Sequence, residues 1–117
     1  MALIEDGPPD IHPPEEFVKH DQGKPRLDLL PPVAIELVGE VLAHGAEKYD
    51  ADNWRKVDDR RRYLGAALRH LMAYARGEDI DPDSGLSHLA HASASTLFLL
   101  EAQELNLGDD TRPKASQ

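Results

Sequence analysis

The sequence has no cysteine, few aromatic residues and fewer basic than acidic side chains. Without cysteine there is no disulfide, no thiolate nucleophile and no cysteine-based zinc site. Aromatic residues make up only 5% of the 117 residues, so a core must rest mainly on Leu, Val and Ala, which favours helices over a sandwich of strands. Thirteen Lys and Arg against 22 Asp and Glu give a net charge of −9, the wrong sign for binding a phosphate backbone, so we expect no nucleic-acid polymer as partner.

Long apolar runs are also missing. No segment approaches the roughly 20 apolar residues of a membrane span, and the first residues lack the basic and apolar regions of a signal peptide. We therefore expect no membrane partner and a cytoplasmic location. The length leaves room for one compact domain, which excludes a two-domain enzyme.

Three segments have apolar residues at helical spacing. We predict a first helix from about Pro32 to Tyr49 and a second from a cap at Asp58 or Asp59 to about Arg76. A third helix is predicted from about Leu86 to Leu105, with Asp83 or Ser84 as its cap. Gly77 is placed to end the second helix. The fold class is therefore all-α, an antiparallel bundle of about three main helices, and the broad apolar face of the third predicts that oligomerisation completes it.

The ends of the chain differ from its centre in composition. Residues 1–20 contain Pro8, Pro9, Pro13 and Pro14, which predicts an extended N-terminal arm. Residues 21–107 form the helical domain. Residues 108–117 are polar, and we expect this tail to be frayed.

An acidic stripe runs along the first predicted helix, opposite its apolar face. It consists of Glu36, Glu40, Glu47 and Asp50. A solvated helix face would explain it, because like charges four residues apart cost only a few tenths of a kcal/mol. The alternative is a set of carboxylate ligands for Mg²⁺ or Mn²⁺, which prefer oxygen.

A second polar group is expected where the second helix ends and the third begins. In a helical hairpin these two ends lie together, and they carry His70, Glu78, Asp81, Asp83, His88 and His91. A single histidine is more often a packed residue than a ligand, but several histidines and carboxylates at one pole weaken that interpretation. Because the first helix runs antiparallel to the second, Glu36 and Glu40 are predicted to reach the same pole, and Glu47 is not.

Basic and aromatic residues outside this pole suit a nucleotide. Candidate phosphate ligands are Lys24, Arg26, Lys48 and Arg69. Asn53 offers an amide for the edge of a base and Trp54 offers a ring for stacking. Trp54 could equally fill the base of the bundle.

Several blocks of the sequence, taken together and in order, carry a resemblance. They are DQGKPRLDLLPP at 21–32, GAEKY at 45–49, NW at 53–54, RH at 69–70 and GEDIDPDSGLSHLAHA at 77–92. Over about residues 20–104 the chain resembles the phage dATP/dGTP diphosphohydrolase family, which is grouped with the MazG-like all-α nucleoside triphosphate pyrophosphohydrolases.

The resemblance implies a helical homodimer or homotetramer that uses divalent metal, Mg²⁺ or Mn²⁺. It would cleave purine deoxynucleoside triphosphates between the α and β phosphates, giving dGMP and dAMP with pyrophosphate. In phages that replace adenine by 2-aminoadenine, such an enzyme supplies dGMP for the modified nucleotide and depletes dATP, in the host cytoplasm.

The expected roles are divided among twelve residues. Glu36 and Glu40 are the first-choice metal ligands, and Glu78, Asp81 and His88 are second-choice ligands or the base. His70 would orient a ligand or transfer a proton. Phosphates would be bound by Lys24, Arg26, Lys48 and Arg69, and the purine by Asn53 and Trp54.

The residues leave two further interpretations open. The chain could be a non-catalytic regulatory module that binds purine nucleotides, or a helical interaction protein whose acidic stripe is only soluble surface. The MazG-like signature pairs ExxE on one helix with ExxD on the next, whereas this chain has Glu36 and Glu40 four residues apart. Two pairs fit the ExxD spacing, Glu47 with Asp50 and Glu78 with Asp81.

Overall fold

The computed structural model describes residues 16–115, which contain three α-helices and no β-strand. Helix α1 spans Pro32–Lys48, α2 spans Arg61–Ala75 and α3 spans His88–Leu105. Two 3₁₀ helices, Leu27–Leu29 and Asn53–Lys56, precede α1 and α2 respectively. The predicted all-α class is therefore confirmed. Most of the predicted N-terminal arm lies outside the described residues, and residues 16–20 have no regular structure.

The first two helices begin and end within a few residues of the predicted positions. Pro32 occupies the first turn of α1, where its missing N–H leaves no hydrogen bond unmade. At the start of α2 the Asp59 carboxylate accepts a hydrogen bond from the backbone N–H of Arg61 at 3.0 Å, as a capping side chain does. Gly77 follows the end of α2 with φ of +95°, a conformation that glycine adopts without strain.

The start of α3 differs from the prediction. The N-cap is Ser87, whose hydroxyl accepts hydrogen bonds from the backbone N–H groups of Leu89 and Ala90. The predicted caps Asp83 and Ser84 lie three or more residues earlier, because Gly85 reverses the chain with φ of +74° before the helix begins. Both candidates and the true cap are polar residues within one short segment, so residue type alone did not separate them.

Helix α3 is the central element and packs mainly against α2. Arg60, just before α2, donates from Nε to the Leu107 carbonyl at 2.9 Å, and His70 near the other end of α2 lies 2.9 Å from His88, so the two helices are antiparallel. Helix α1 lies against α3 through Val38 and Val41. Their partners on α3 are Ala90 and Ala94, and these small side chains let the helices approach closely.

The C-terminal segment is attached to the bundle, so the expectation of a frayed tail is wrong for its first residues. The backbone of Asp109 pairs with Asp58 and Arg60, with N···O distances of 2.8 and 3.0 Å. The Thr111 hydroxyl donates to the Asp59 carboxylate at 2.7 Å. A polar composition does not prevent a segment from binding when its backbone groups find partners in the fold.

Large apolar side chains remain exposed on all three helices. The buried positions within residues 16–115 are small apolar residues and one histidine, and no large side chain there is fully buried. The exposed ones include Val33, Leu68, Met72, Leu97 and Leu100. None of the helices in this part of the chain combines the length and apolar character of a membrane span.

Candidate functional site

A cleft of about 1080 Å³ opens between the three helices. Its walls come from the second half of α1, the loop between α1 and α2, one face of α2, the loop before α3 and the first half of α3. This volume is at the upper end of those that hold small-molecule ligands and cofactors. Because loops and three helices meet here, residues far apart in the sequence share one surface.

The cleft concentrates positive charge in an acidic chain. Its lining includes five basic residues, Lys48, Lys56, Arg61, Arg62 and Arg69. Four acidic residues also line it, Asp50, Asp58, Asp81 and Asp83. The whole chain has 13 basic and 22 acidic residues, so the balance of charge in the cleft is the reverse of that in the rest of the protein. Anions are therefore favoured here more than the net charge suggests.

Two of these basic residues are available for a ligand, because the other three have partners among the described residues. Arg61 donates from its guanidinium to the Thr111 carbonyl at 3.2 Å. Arg62 lies 3.3 Å from Asp58 and Lys56 lies 3.9 Å from Asp50, both as exposed ion pairs. Lys48 and Arg69 have no carboxylate within 4.0 Å among the described residues. Unpaired cations in a concave site are the groups that phosphates bind.

Aromatic residues form one wall of the cleft. The rings of Trp54 and Phe98 stack with centroids 5.1 Å apart, and the Arg55 guanidinium lies 4.8 Å from the centroid of the indole. Tyr63 packs against Phe98 and its hydroxyl donates to the Trp54 carbonyl at 2.9 Å. Trp54 is thereby held by three neighbours and acts as a packing residue of this wall. Asn53, beside it, is exposed and lines the cleft.

A chain of polar contacts connects His70, in the cleft, to Glu78. The Nδ1 atoms of His70 and His88 are 2.9 Å apart, and His88 Nε2 lies 2.7 Å from a carboxylate oxygen of Glu78. His88 is only 4% exposed, so hydrogen bonds at both nitrogens are what makes its burial tolerable. His70 also stacks on His91 with centroids 4.5 Å apart.

A second group of contacts surrounds His91. The Ser84 hydroxyl donates to the Asp81 carboxylate at 2.9 Å and lies 2.7 Å from His91 Nε2. Since a hydroxyl has one proton, Ser84 gives it to Asp81 and accepts from His91. This arrangement does not activate Ser84 as a nucleophile, because its proton is donated to Asp81, a weak base whose pKa is lowered, and not to a histidine.

The electrostatics favour the neutral form of His70 and His91 and the ionised form of Asp81. Burial lowers the pKa of His70, and the neighbouring His91 and His88 lower it further. Burial also lowers the pKa of His91, against the opposing effect of Asp81. For Asp81, burial acts to raise the pKa, but hydrogen bonds from Ser84 and nearby backbone N–H groups outweigh it, so the pKa is lowered. Neutral imidazoles can accept protons, and an ionised carboxylate can hold a cation.

The structure does not bring the five expected metal ligands together within one chain. Glu36 and Glu40 are exposed on α1, each two residues from the buried Val38 and therefore about 160° around the helix from it. His88 donates a hydrogen bond from Nε2 to Glu78, and its Nδ1 lies 2.9 Å from His70 Nδ1, so both ring nitrogens of His88 are already in use. Asp81 is the one expected ligand that lines the cleft. Among residues 16–115, no three His, Asp or Glu side chains form a group that could hold a metal ion.

Six of the twelve predicted site residues line the cleft. They are Lys48, Asn53, Trp54, Arg69, His70 and Asp81. Lys24 and Arg26 do not, and Arg26 is held by Asp28 through two hydrogen bonds of 3.0 and 2.8 Å. The pole predicted from the helical hairpin is confirmed for His70, His88 and His91, which are in mutual contact through His70.

Sequence reasoning gave Ser84 and His44 no part in the site. Ser84 lies three residues after Asp81 in a turn rich in Asp, Pro and Gly, where serine and aspartate side chains commonly bond to each other. His44 lines the cleft from α1 and is one of the charges that lower the pKa of His91. Its position three residues after Val41, on the apolar side of α1, was the available signal.

Comparison with known proteins gives one family and one relative. The family described as dATP/dGTP diphosphohydrolase, N-terminal, matches residues 14–112. A dATP/dGTP diphosphohydrolase of Salmonella phage PMBT28 is 39% identical over 82 residues, which is 70% of this chain and 28% of the relative. The chain thus spans little more than a quarter of the length of that relative. No solved structure matches it significantly. Since the match covers most of the chain, including the whole cleft, the chain belongs to the dATP/dGTP diphosphohydrolase N-terminal family.

Proposed function

We propose that the cleft binds a purine deoxynucleoside triphosphate and that the chain hydrolyses dATP and dGTP to dAMP and dGMP with release of pyrophosphate. The observation that carries this proposal is the group of cations in the cleft, beside a neutral histidine, in a chain that is otherwise acidic. The name of the phage relative agrees with it. The reaction belongs in the host cytoplasm, where it would supply dGMP and deplete dATP in a phage that uses 2-aminoadenine.

Lys48 and Arg69 are the proposed phosphate ligands. They come from different helices, line the same cleft and have no carboxylate partner among the described residues. Charge-assisted hydrogen bonds to phosphate are stronger than neutral ones, about 1.5–3 kcal/mol each, so we expect Lys48→Gln or Arg69→Gln to raise KM about tenfold or more. Lys114→Gln, an exposed lysine outside the cleft, is the matched control.

His70 is the proposed general base. It lines the cleft, and burial and two neighbouring histidines keep its ring neutral, which is the form that accepts a proton from an attacking water. We expect His70→Gln to lower kcat by 10²-fold or more while leaving KM nearly unchanged, because a positioned base contributes about 10² to 10⁴. A KM effect alone would contradict this role.

We propose that activity requires Mg²⁺ or Mn²⁺. A complete set of protein ligands is not needed, because Mg²⁺ usually keeps several waters and takes its remaining ligands from one or two carboxylates and the phosphates of the substrate. Asp81 and Asp83 are the carboxylates that the loop before α3 contributes to the cleft. A bound cation would neutralise negative charge on the triphosphate.

We assign recognition of the purine base to Asn53, and Trp54 supports Asn53 as a packing residue of the neighbouring wall. Asn53 is exposed in the cleft, while the ring of Trp54 is already in contact with Phe98 and Arg55. Asn53→Ala should therefore reduce the preference for dGTP and dATP over the pyrimidine nucleotides. Trp54→Ala should act mainly by lowering stability, and unchanged stability would show that the aromatic wall is not built as described.

We propose a homodimer or homotetramer. Large apolar side chains of α2 and α3 are exposed, such as Leu68, Met72, Leu97 and Leu100, and burial against a second copy would remove them from water. Sedimentation equilibrium at micromolar concentration measures the state directly. A monomer at every concentration would contradict self-association.

The deciding experiment is pyrophosphate release from each of the four deoxynucleoside triphosphates, with Mg²⁺, with Mn²⁺ and with excess chelator. Metal-dependent release from dGTP and dATP, with the monophosphate as second product, is the expected result. Saturable binding of dGTP without release would favour the non-catalytic module. Absence of both binding and release would contradict a nucleotide site.

A further inference from the structure

His88 is not among the residues that line the cleft, yet both of its ring nitrogens are in hydrogen-bond contact with other side chains. It is buried, its Nδ1 lies 2.9 Å from His70 Nδ1 and its Nε2 lies 2.7 Å from Glu78. Glu78, by contrast, is half exposed, with 53% of its side chain in contact with solvent. The three side chains form a continuous chain of hydrogen bonds from solvent to the cleft.

The hydrogen atoms in this chain can be assigned by counting donors and acceptors. A carboxylate only accepts, so His88 Nε2 must carry a hydrogen and donate it to Glu78. A neutral His88 then has its lone pair on Nδ1 and accepts there. The hydrogen between the two Nδ1 atoms therefore belongs to His70, and the lone pair of a neutral His70 is on Nε2.

We propose that Glu78 and His88 are positioning residues, which hold His70 in the tautomer that leaves Nε2 as the proton acceptor in the cleft. This inference rests on the proposed function for the catalytic role of His70. It gives Glu78 and His88 a purpose that does not involve a metal. No described residue forms a hydrogen bond to His70 Nε2, so that nitrogen is available to a substrate water.

The chain also gives the accepted proton a place to go. When His70 Nε2 takes a proton from water, the hydrogen on His70 Nδ1 can pass to His88 Nδ1. His88 is then positively charged beside the Glu78 carboxylate, at a distance of 2.7 Å. The first transfer breaks an O–H bond of the water and forms the Nε2–H bond of His70. The second breaks the Nδ1–H bond of His70 and forms the Nδ1–H bond of His88, so the positive charge moves away from the site where hydroxide attacks.

Other charged groups near His70 oppose its protonation or support it. On its own helix Arg69 opposes it, and on α3 His91 and His88 do so. Asp81, from the loop, favours the protonated ring. Glu78 acts on His70 through His88. Removing the charge of Glu78 should therefore lower the pKa of His70 while the other charged groups stay as they are.

The first test is a measurement of tautomers in the nucleotide-free protein, by ¹⁵N NMR of labelled histidine at a pH where both rings are neutral. The expected spectrum places the hydrogen of His70 on Nδ1 and that of His88 on Nε2. A hydrogen on Nε2 of His70 would overturn the inference. This measurement needs no turnover, so it gives the same answer whether or not the proposed hydrolysis is found.

The second test is Glu78→Gln in the full chain. An amide can donate or accept, so His88 is no longer held in one tautomer, as when asparagine replaces the triad aspartate of serine proteases. We expect kcat to fall at least about tenfold with KM within about twofold, and the rise of kcat/KM with pH to move to lower pH. Glu101→Gln, an exposed carboxylate on α3 outside the cleft, should change neither.

The outcomes separate the inference from the proposed function. An active wild type whose Glu78→Gln variant keeps the same kcat and pH profile would overturn the positioning role and leave the function standing. A folded wild type without pyrophosphate release would contradict the proposed function, and with it the catalytic use of His70. A structural role alone for Glu78 would lower the free energy of unfolding without moving the pH profile, and this result would also overturn the inference.

Discussion

The attachment of the C-terminal segment depends on one glycine, which offers a sharp test of the fold. Gly108 has φ of +69°, and a Cβ atom built on it would lie 2.7 Å from the Val57 carbonyl oxygen and 3.2 Å from that of Asp58. In Gly108→Ala the left-handed backbone costs about 1–2 kcal/mol. The 2.7 Å contact is with backbone, which cannot rotate away, and adds a comparable cost because the segment must shift. We expect a total loss of about 3 kcal/mol.

Gly77→Ala is the matched control for this substitution. Gly77 has a φ of +95°, and a Cβ there would meet no atom within 4 Å, so only the backbone cost of about 1–2 kcal/mol applies. Urea unfolding followed by circular dichroism, at one protein concentration, measures both losses. Equal losses in the two variants would refute the close packing of Gly108 on Val57.

Three further predictions concern the helices and the histidines. Gly65→Ala should raise the free energy of unfolding by about 0.5–1 kcal/mol, as removal of a helical glycine does, while KM rises because the new Cβ lies 3.2 Å from the Arg69 guanidinium. Ser87→Ala should lower stability by about 1 kcal/mol in urea unfolding, since it removes the N-cap of α3. Because the pKa of His70 and of His91 is lower in the folded chain, the unfolded chain binds more protons just below pH 6.5. Stability should therefore fall as pH drops through 6.5, and a thermal melt that is flat from pH 7.5 to 5.5 would contradict this.

The helices could be predicted from the sequence because each rests on local signals. Pro32 at a first turn, Gly77 after a last turn and apolar spacing along α1 act within a few residues of the position that they determine. The N-cap of α3 was predicted less well. Ser84 and Ser87 are chemically equal candidates, and the choice depends on the turn at Gly85 and on the bonds that Asp81 and His91 make to Ser84.

The cleft could be predicted only in part, for a physical reason. A helical hairpin brings the end of α2 to the start of α3 whatever the side chains are, so the meeting of His70 with His88 follows from topology. The face of α1 that turns toward these histidines does not follow from topology. Burial of Val38 and Val41 fixes that face, and it directs Glu36 and Glu40 to solvent.

The net charge of the whole chain is a poor guide to what the cleft binds. Coulomb interactions near a protein surface are screened within about 8–10 Å, so a ligand responds to the charges around it and not to the total. Five of the 13 basic residues line the cleft with four of the 22 acidic ones, which leaves eight basic and 18 acidic residues elsewhere. The triphosphate of the proposed substrate would lie close to the basic residues of the cleft. A polynucleotide would extend its phosphates beyond them, onto surface of their own sign, so this distribution of charge favours the proposed nucleotide substrate over a polymer.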